Sequence, residues 1–133
     1  MDQAIKDTVI ECSKASDEGR MTFPQVVMRL MEAGIEQYYT DLRRAQKVYY
    51  LPNGESCAFE TDAIDQVPAM AFDAAGVSAA IRAIQGQKIS YRDFCRQIMA
   101  AGCVSYVVSL VGRRAVYLGR TGESFVEPFP TAQ

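Results

Sequence analysis

Along the chain, Ile5, Thr8, Val9 and Cys12 recur every three to four positions, which predicts an amphipathic helix from about residue 3 to 16. Ser16, Asp17, Glu18 and Gly19 then end it. A second apolar stripe, Phe23, Val26, Val27, Leu30 and Met31, follows Thr22, an N-cap candidate with Gln25 three residues on and Pro24 tolerated in the first turn. Gly34 is the C-terminal stop. The same device returns later: Ser90 as cap, Asp93 at the third helical position, apolar Tyr91, Phe94, Ile98 and Met99, then Gly102. Between these segments Val77, Ala80, Ile81 and Ile84 mark the inward stripe of a further helix.

After each stop glycine the period falls from 3.6 to 2, as expected on entering a strand. Glu36 to Leu42 and Val104 to Val111 read as first strands, with Lys47 to Leu51 and Arg114 to Gly119 as their return strands. Turns carrying Gly54 and Gly122 lead to short third strands, Ser56 to Phe59 and Ser124 to Val126.

These parallels are one pattern: residues 21–56 and 89–124 align without a gap at an offset of 68, and ten of the 36 pairs are identical. Unrelated segments of average composition would share roughly two or three. We read the chain as an internal duplication of a helix-helix-meander unit, an α+β fold whose antiparallel sheet has its helices packed on one face. A single domain over 1–133 follows, with repeat 1 at about 3–59, an acidic surface connection at about 60–72 and repeat 2 at about 73–127.

Period-2 alternation assigns strand faces. It places Tyr38, Thr40, Leu42, Val48 and Tyr50 with Tyr106, Val108, Leu110, Val116 and Leu118 under the helices. Gln37, Tyr39, Asp41, Tyr49 and Leu51, with Ser105, Val107, Ser109, Tyr117 and Gly119, fall on the opposite, mixed face. There Tyr39, Tyr49 and Tyr117 stand beside polar groups including Asp41, as on binding surfaces; tyrosines that only pack across strand pairs give the same pattern. Such a face also suits a homodimer.

The basic turns are a second candidate. Arg43, Arg44 and Lys47 stand at one hairpin and Arg113, Arg114 and Arg120 at its counterpart, able to hold a phosphate or acidic peptide if brought together, or simply solvated and guarding strand edges. Glu55 and Glu123, each after a turn glycine, form an equivalent carboxylate pair that turn chemistry explains more cheaply than acid-base catalysis. Function is best sought where the copies diverge: Tyr39 against Val107, Asp41 against Ser109, Lys47 against Ala115, and the acidic connection.

Composition narrows the classes. The chain has no histidine, which excludes Ser-His-Asp and Cys-His chemistry. No phosphate-binding glycine loop or EF-hand pattern occurs. Four cysteines lie 45, 38 and 8 positions apart without zinc spacing, so buried reduced thiols are expected, with no cofactor and no metal. A pI near 5.1 argues against nucleic acid as a partner. The charged first twenty residues and the lack of a long apolar run point to a cytoplasmic protein away from the membrane.

At TFPQVVMRLMEAGIEQYYTDLRRAQKVYYLPNGE and YRDFCRQIMAAGCVSYVVSLVGRRAVYLGRTGESFVEPFP the sequence resembles the YbcV/YdfO-like bacterial family of unknown function, some members of which are labelled phage envelope protein. The resemblance runs from about Asp2 to Pro130 and implies a small α+β domain with no assigned reaction, hence no catalytic residues to carry over. Its pattern often has histidine where this chain has Tyr39 and Phe125, a departure that argues against histidine chemistry here. The expectation is a non-enzymatic binding or interaction module with a protein partner or as a homodimer, and with a phage connection. The alternative is a small-molecule sensor or enzyme with its site at the seam between the repeats.

Overall fold

A computed structural model describes residues 1–130. The chain forms α1 (Gln3–Asp17), α2 (Phe23–Glu32), β1 (Gln37–Asp41), β2 (Gln46–Tyr50) and β3 (Ser56–Glu60). It then repeats that order as α3 (Ala74–Gln85), α4 (Tyr91–Ala100), β4 (Cys103–Ser109), β5 (Arg114–Gly119) and β6 (Ser124–Pro128). The expected caps begin α2 and α4. Gln25 N donates to Thr22 Oγ1 at 3.4 Å while Thr22 N donates to Gln25 Oε1 at 2.8 Å, a reciprocal capping box. Asp93 N donates to Ser90 Oγ at 3.1 Å. Gly34 and Gly102 follow α2 and α4 with φ of 86° and 96°, a conformation that side chains with a Cβ resist.

The six strands make one antiparallel sheet in the order β3-β2-β1-β4-β5-β6. Its centre is the β1–β4 pair, where Tyr39 faces Val107, two positions 68 apart in sequence. The apolar faces of the helices meet the sheet in one core that includes Val9, Leu30, Val77, Ile98, Tyr38, Tyr106 and Val108. The fold is α+β, as the alternation of periods implies.

The face assignment is right for β1 and β4 and reversed for β2 and β5. Each hairpin turn holds four residues, Leu42 to Ala45 and Leu110 to Arg113, so Asp41 pairs with Gln46 and Ser109 with Arg114. Even-numbered residues of the first strand therefore share a face with odd-numbered residues of the second: Tyr38 with Tyr49, Thr40 with Lys47, Val108 with Ala115. Ala45 and Arg113, at φ 55° and 54°, make the turns close this way. Tyr49 and Tyr117 consequently lie under the helices, 2% and 7% exposed, while Val48, Tyr50, Val116 and Leu118 turn to the open face.

The connection from residue 61 to 73 has exposed side chains, Val67 and Met70 among them, yet its backbone is held. Ala69 N donates to Met99 O at 3.0 Å, Asp73 N to Ala101 O at 2.8 Å, and Arg120 Nη1 to Pro68 O at 2.8 Å. Gly102 permits this, since a Cβ there would stand 2.3 Å from the Ala71 carbonyl oxygen.

Candidate functional site

Between the sheet and the helix layer lies a cavity of about 560 Å³. Both halves of the chain wall it, through pairs of residues 68 positions apart: Tyr38 and Tyr106, Tyr49 and Tyr117, Thr22 and Ser90, Phe23 and Tyr91, Val26 and Phe94. The rings are mutually packed. Tyr38 stacks on Tyr49 with centroids 5.1 Å apart, Tyr106 lies 5.4 Å from Tyr117, and Tyr38 meets Tyr106 edge-on at 6.5 Å across the centre. The Tyr91 and Tyr106 hydroxyls hydrogen-bond to each other. Burial raises the phenol pKa of Tyr49, Tyr91 and Tyr106 well above the ordinary tyrosine value, so these hydroxyls stay protonated donors.

The walls differ in polarity. Where the first half presents Ser13, Ser16 and Lys47, the second presents Ile81, Ile84 and Ala115. Lys47 is 4% exposed, its Nζ 4.6 Å from the Tyr91 ring centroid. It joins none of the ion pairs among the described residues. Burial lowers its ammonium pKa below the ordinary lysine value, partly offset by the charge of Asp17, which stands beyond ion-pair range. Asp17 is itself raised by burial, and its Oδ1 has no hydrogen-bond partner. An unpaired buried ammonium is costly, so it is the strongest chemical signal in the fold.

Among the described lining residues Lys47 is the one cation and Glu127 the one anion, and Glu127 is paired with Arg82 at 3.5 Å. Phe23 and Phe129, 5.4 Å apart edge to face, flank one side, with the Arg113 guanidinium 5.6 Å over Phe129.

The residues expected to bind are dispersed. Tyr39 stays on the open face, half-buried, beside Val48 and Val107. Asp41 caps its own turn: its Oδ1 accepts from Arg43 N and Arg44 N, both at 3.0 Å. Ser109 does the same for Gly112 N at 2.8 Å. Arg43 and Arg44 do not meet Arg113 and Arg114, because the antiparallel β1–β4 pair sends the two turns to opposite ends of the sheet, a strand length of about 16 Å apart. Tyr49 and Tyr117 reach the cavity instead of the open face. Lys47, which the sequence pattern places in a basic turn, is buried because the four-residue turn points it inward.

Glu55 and Glu123 are turn residues: Glu55 accepts from Asn53 Nδ2 and Glu123 from Thr121 Oγ1, both at 2.9 Å. All four cysteines are free, with Cys12, Cys95 and Cys103 buried. No group of three or more metal-ligating side chains gathers among the described residues. Periodicity alone gives Tyr38, Tyr91 and Tyr106 as core residues, and their place at the cavity is signalled in sequence only by the pairing of Tyr38 with Tyr106 and the divergence of Lys47 from Ala115.

No helix among the described residues is long and apolar enough to cross a membrane. No family model matches the chain. Uncharacterised proteins of Mycobacterium bovis and Mycobacterium tuberculosis are 29% identical to it over 114 residues, which span 84% of this chain and 68% of each relative.

Proposed function

We propose that this chain is a cytosolic small-molecule-binding module whose site is the tyrosine-walled cavity between its two halves. The observation that carries the reading is the cavity itself: about 560 Å³, bordered by residues of all four helices and five of the six strands, with a buried ammonium in its wall. Its size falls in the range of small-molecule sites, and apolar walls with a few convergent polar groups are what such sites present. Buried free thiols accord with a reducing compartment. The binding is non-covalent and serves a sensing or carrier role. A library of small organic molecules screened by thermal shift tests it. Binders raise the midpoint of the native chain with the logarithm of concentration. The cavity-filling Ala115→Phe removes the rise while the variant stays folded. A library without a binder, or binders indifferent to Ala115→Phe, would overturn the reading.

A second reading concerns the open face of the sheet, where the reversed parity sets Tyr39, Val48, Tyr50, Val107, Val116 and Leu118 side by side. We propose this face for a homodimer or protein partner; sedimentation of a monomer at all concentrations, with no partner recovered, removes it. We also propose a phage connection, which the family resemblance implies.

A further inference from the structure

Resting on the cavity reading, we infer that the occupant is a monocarboxylic acid with an aromatic body, its carboxylate seated on Lys47 and its ring laid among Tyr38, Tyr49, Tyr106 and Tyr117. Lys47 lines the cavity without an ion pair among the described residues. An anion arriving from the cavity meets a cation already desolvated and fixed over the Tyr91 ring, so the fold has borne the cost of burying it before the ligand binds. The first turns of α2 and α4 border the same space through their caps Thr22 and Ser90, and both bring the positive ends of their helix dipoles to it.

The valence follows from the charges present. The only lining carboxylate, Glu127, is already paired with Arg82, and no second lining cation is available among the described residues. A second carboxylate on the ligand would be buried without a partner, and a phosphate dianion would face one ammonium and no guanidinium fork. The body of the ligand follows from the walls. At three corresponding positions Ser13, Ser16 and Lys47 face the cavity where the other half has Ile81, Ile84 and Ala115, and Glu127 lies on that other half, so a molecule with one anionic end has one favoured orientation. The tyrosine rings, 5.1 to 6.5 Å apart, offer faces and edges on which an aromatic ring packs with further gain over an aliphatic chain.

The test is calorimetry near neutral pH on the full chain and on Lys47→Met, with cinnamate, its neutral isostere cinnamamide and the dicarboxylate terephthalate as probes. The native chain is expected to prefer cinnamate over cinnamamide by about tenfold or more, the scale of a charge-assisted hydrogen bond, and to bind terephthalate more weakly than cinnamate. Lys47→Met is expected to lose the preference and keep the amide affinity. Equal affinity of the native chain for acid and amide overturns the carboxylate inference while leaving the cavity reading standing, and needs no variant to fold. Cinnamate affinity unchanged in Lys47→Met overturns it as well. If neither probe binds the native chain, this inference falls, and the cavity reading is then decided by the library screen.

Discussion

The two walls of the cavity are built from the same positions of the two halves, and they differ where it matters chemically. Lys47 and Ala115 occupy corresponding places on β2 and β5, both buried, one an ammonium and the other a methyl group. Tyr38 and Tyr49 recur as Tyr106 and Tyr117, while Tyr91, the ring beside Lys47, stands where the first half has Phe23. A scaffold that repeats its rings but not its charge gives a bound molecule a head and a tail. Packing explains the shared residues, and the proposed recognition draws on the difference.

A second contrast lies at the ends of α2 and α4, and altering it should have the largest effect. Gly34 and Gly102 share a positive φ, but a Cβ on Gly34 would have only Leu51 at 3.9 Å, whereas on Gly102 it would strike the Ala71 carbonyl oxygen at 2.3 Å. Gly34→Ala is expected to cost about 1 kcal/mol, the left-handed penalty alone. Gly102→Ala must also displace the connection and is expected to cost roughly 3 kcal/mol or more. Urea unfolding of the pair measures this; equal costs would show that the connection is not held as described.

Removing the charge that separates the walls comes next. Lys47→Met exchanges an unpaired buried ammonium for an apolar chain of similar reach, so stability should rise by roughly 1–3 kcal/mol at neutral pH. The sign follows from linkage: burial lowers the folded pKa, so below the ordinary lysine value the unfolded chain holds the proton more readily. Ala115→Lys should move stability the opposite way. A native chain more stable than Lys47→Met would show that the ammonium is well satisfied.

Thiols divide the halves in a third way. Cys95 and Cys103 stand where the first half has Val27 and Ile35, and burial pushes both thiols from 9.0 up to about 11. A raised folded pKa means stability that is complete below about pH 9 and is lost as pH climbs towards 11, by about 2–3 kcal/mol per thiol. Cys95→Val and Cys103→Ile should flatten that loss in pH-dependent denaturation. The smallest effect is expected on the open face, where Tyr39→Ala and Val107→Ala should each change stability by under about 1 kcal/mol. Any larger consequence in sedimentation would point to a contact between copies.

Much of this architecture was legible in the sequence because its signals are local. Thr22 with Gln25, and Ser90 with Asp93, state helix starts within three residues, and Gly34 and Gly102 state the ends. The faces of β2 and β5 were not legible. They depend on whether a turn holds an odd or even number of residues, and a chain such as Leu42-Arg43-Arg44-Ala45 does not announce that Ala45 adopts a positive φ. One residue of parity moved Tyr49, Tyr117 and Lys47 from water to the core and dissolved the expected aromatic surface. The divergence of Lys47 from Ala115 was visible in sequence, but its burial was not.

Lys47 is buried without an ion pair among the described residues, and the proposed carboxylate completes it. The most direct measurement is nitrogen-resolved NMR titration of the four lysine amino groups, Lys6, Lys14, Lys47 and Lys88, with and without cinnamate. Lys47 is expected to titrate below the ordinary lysine range, and cinnamate to move it upward, as an arriving negative charge must. A Lys47 that titrates in the ordinary lysine range, unmoved by cinnamate, would contradict both its unpaired burial and the seat proposed for the carboxylate.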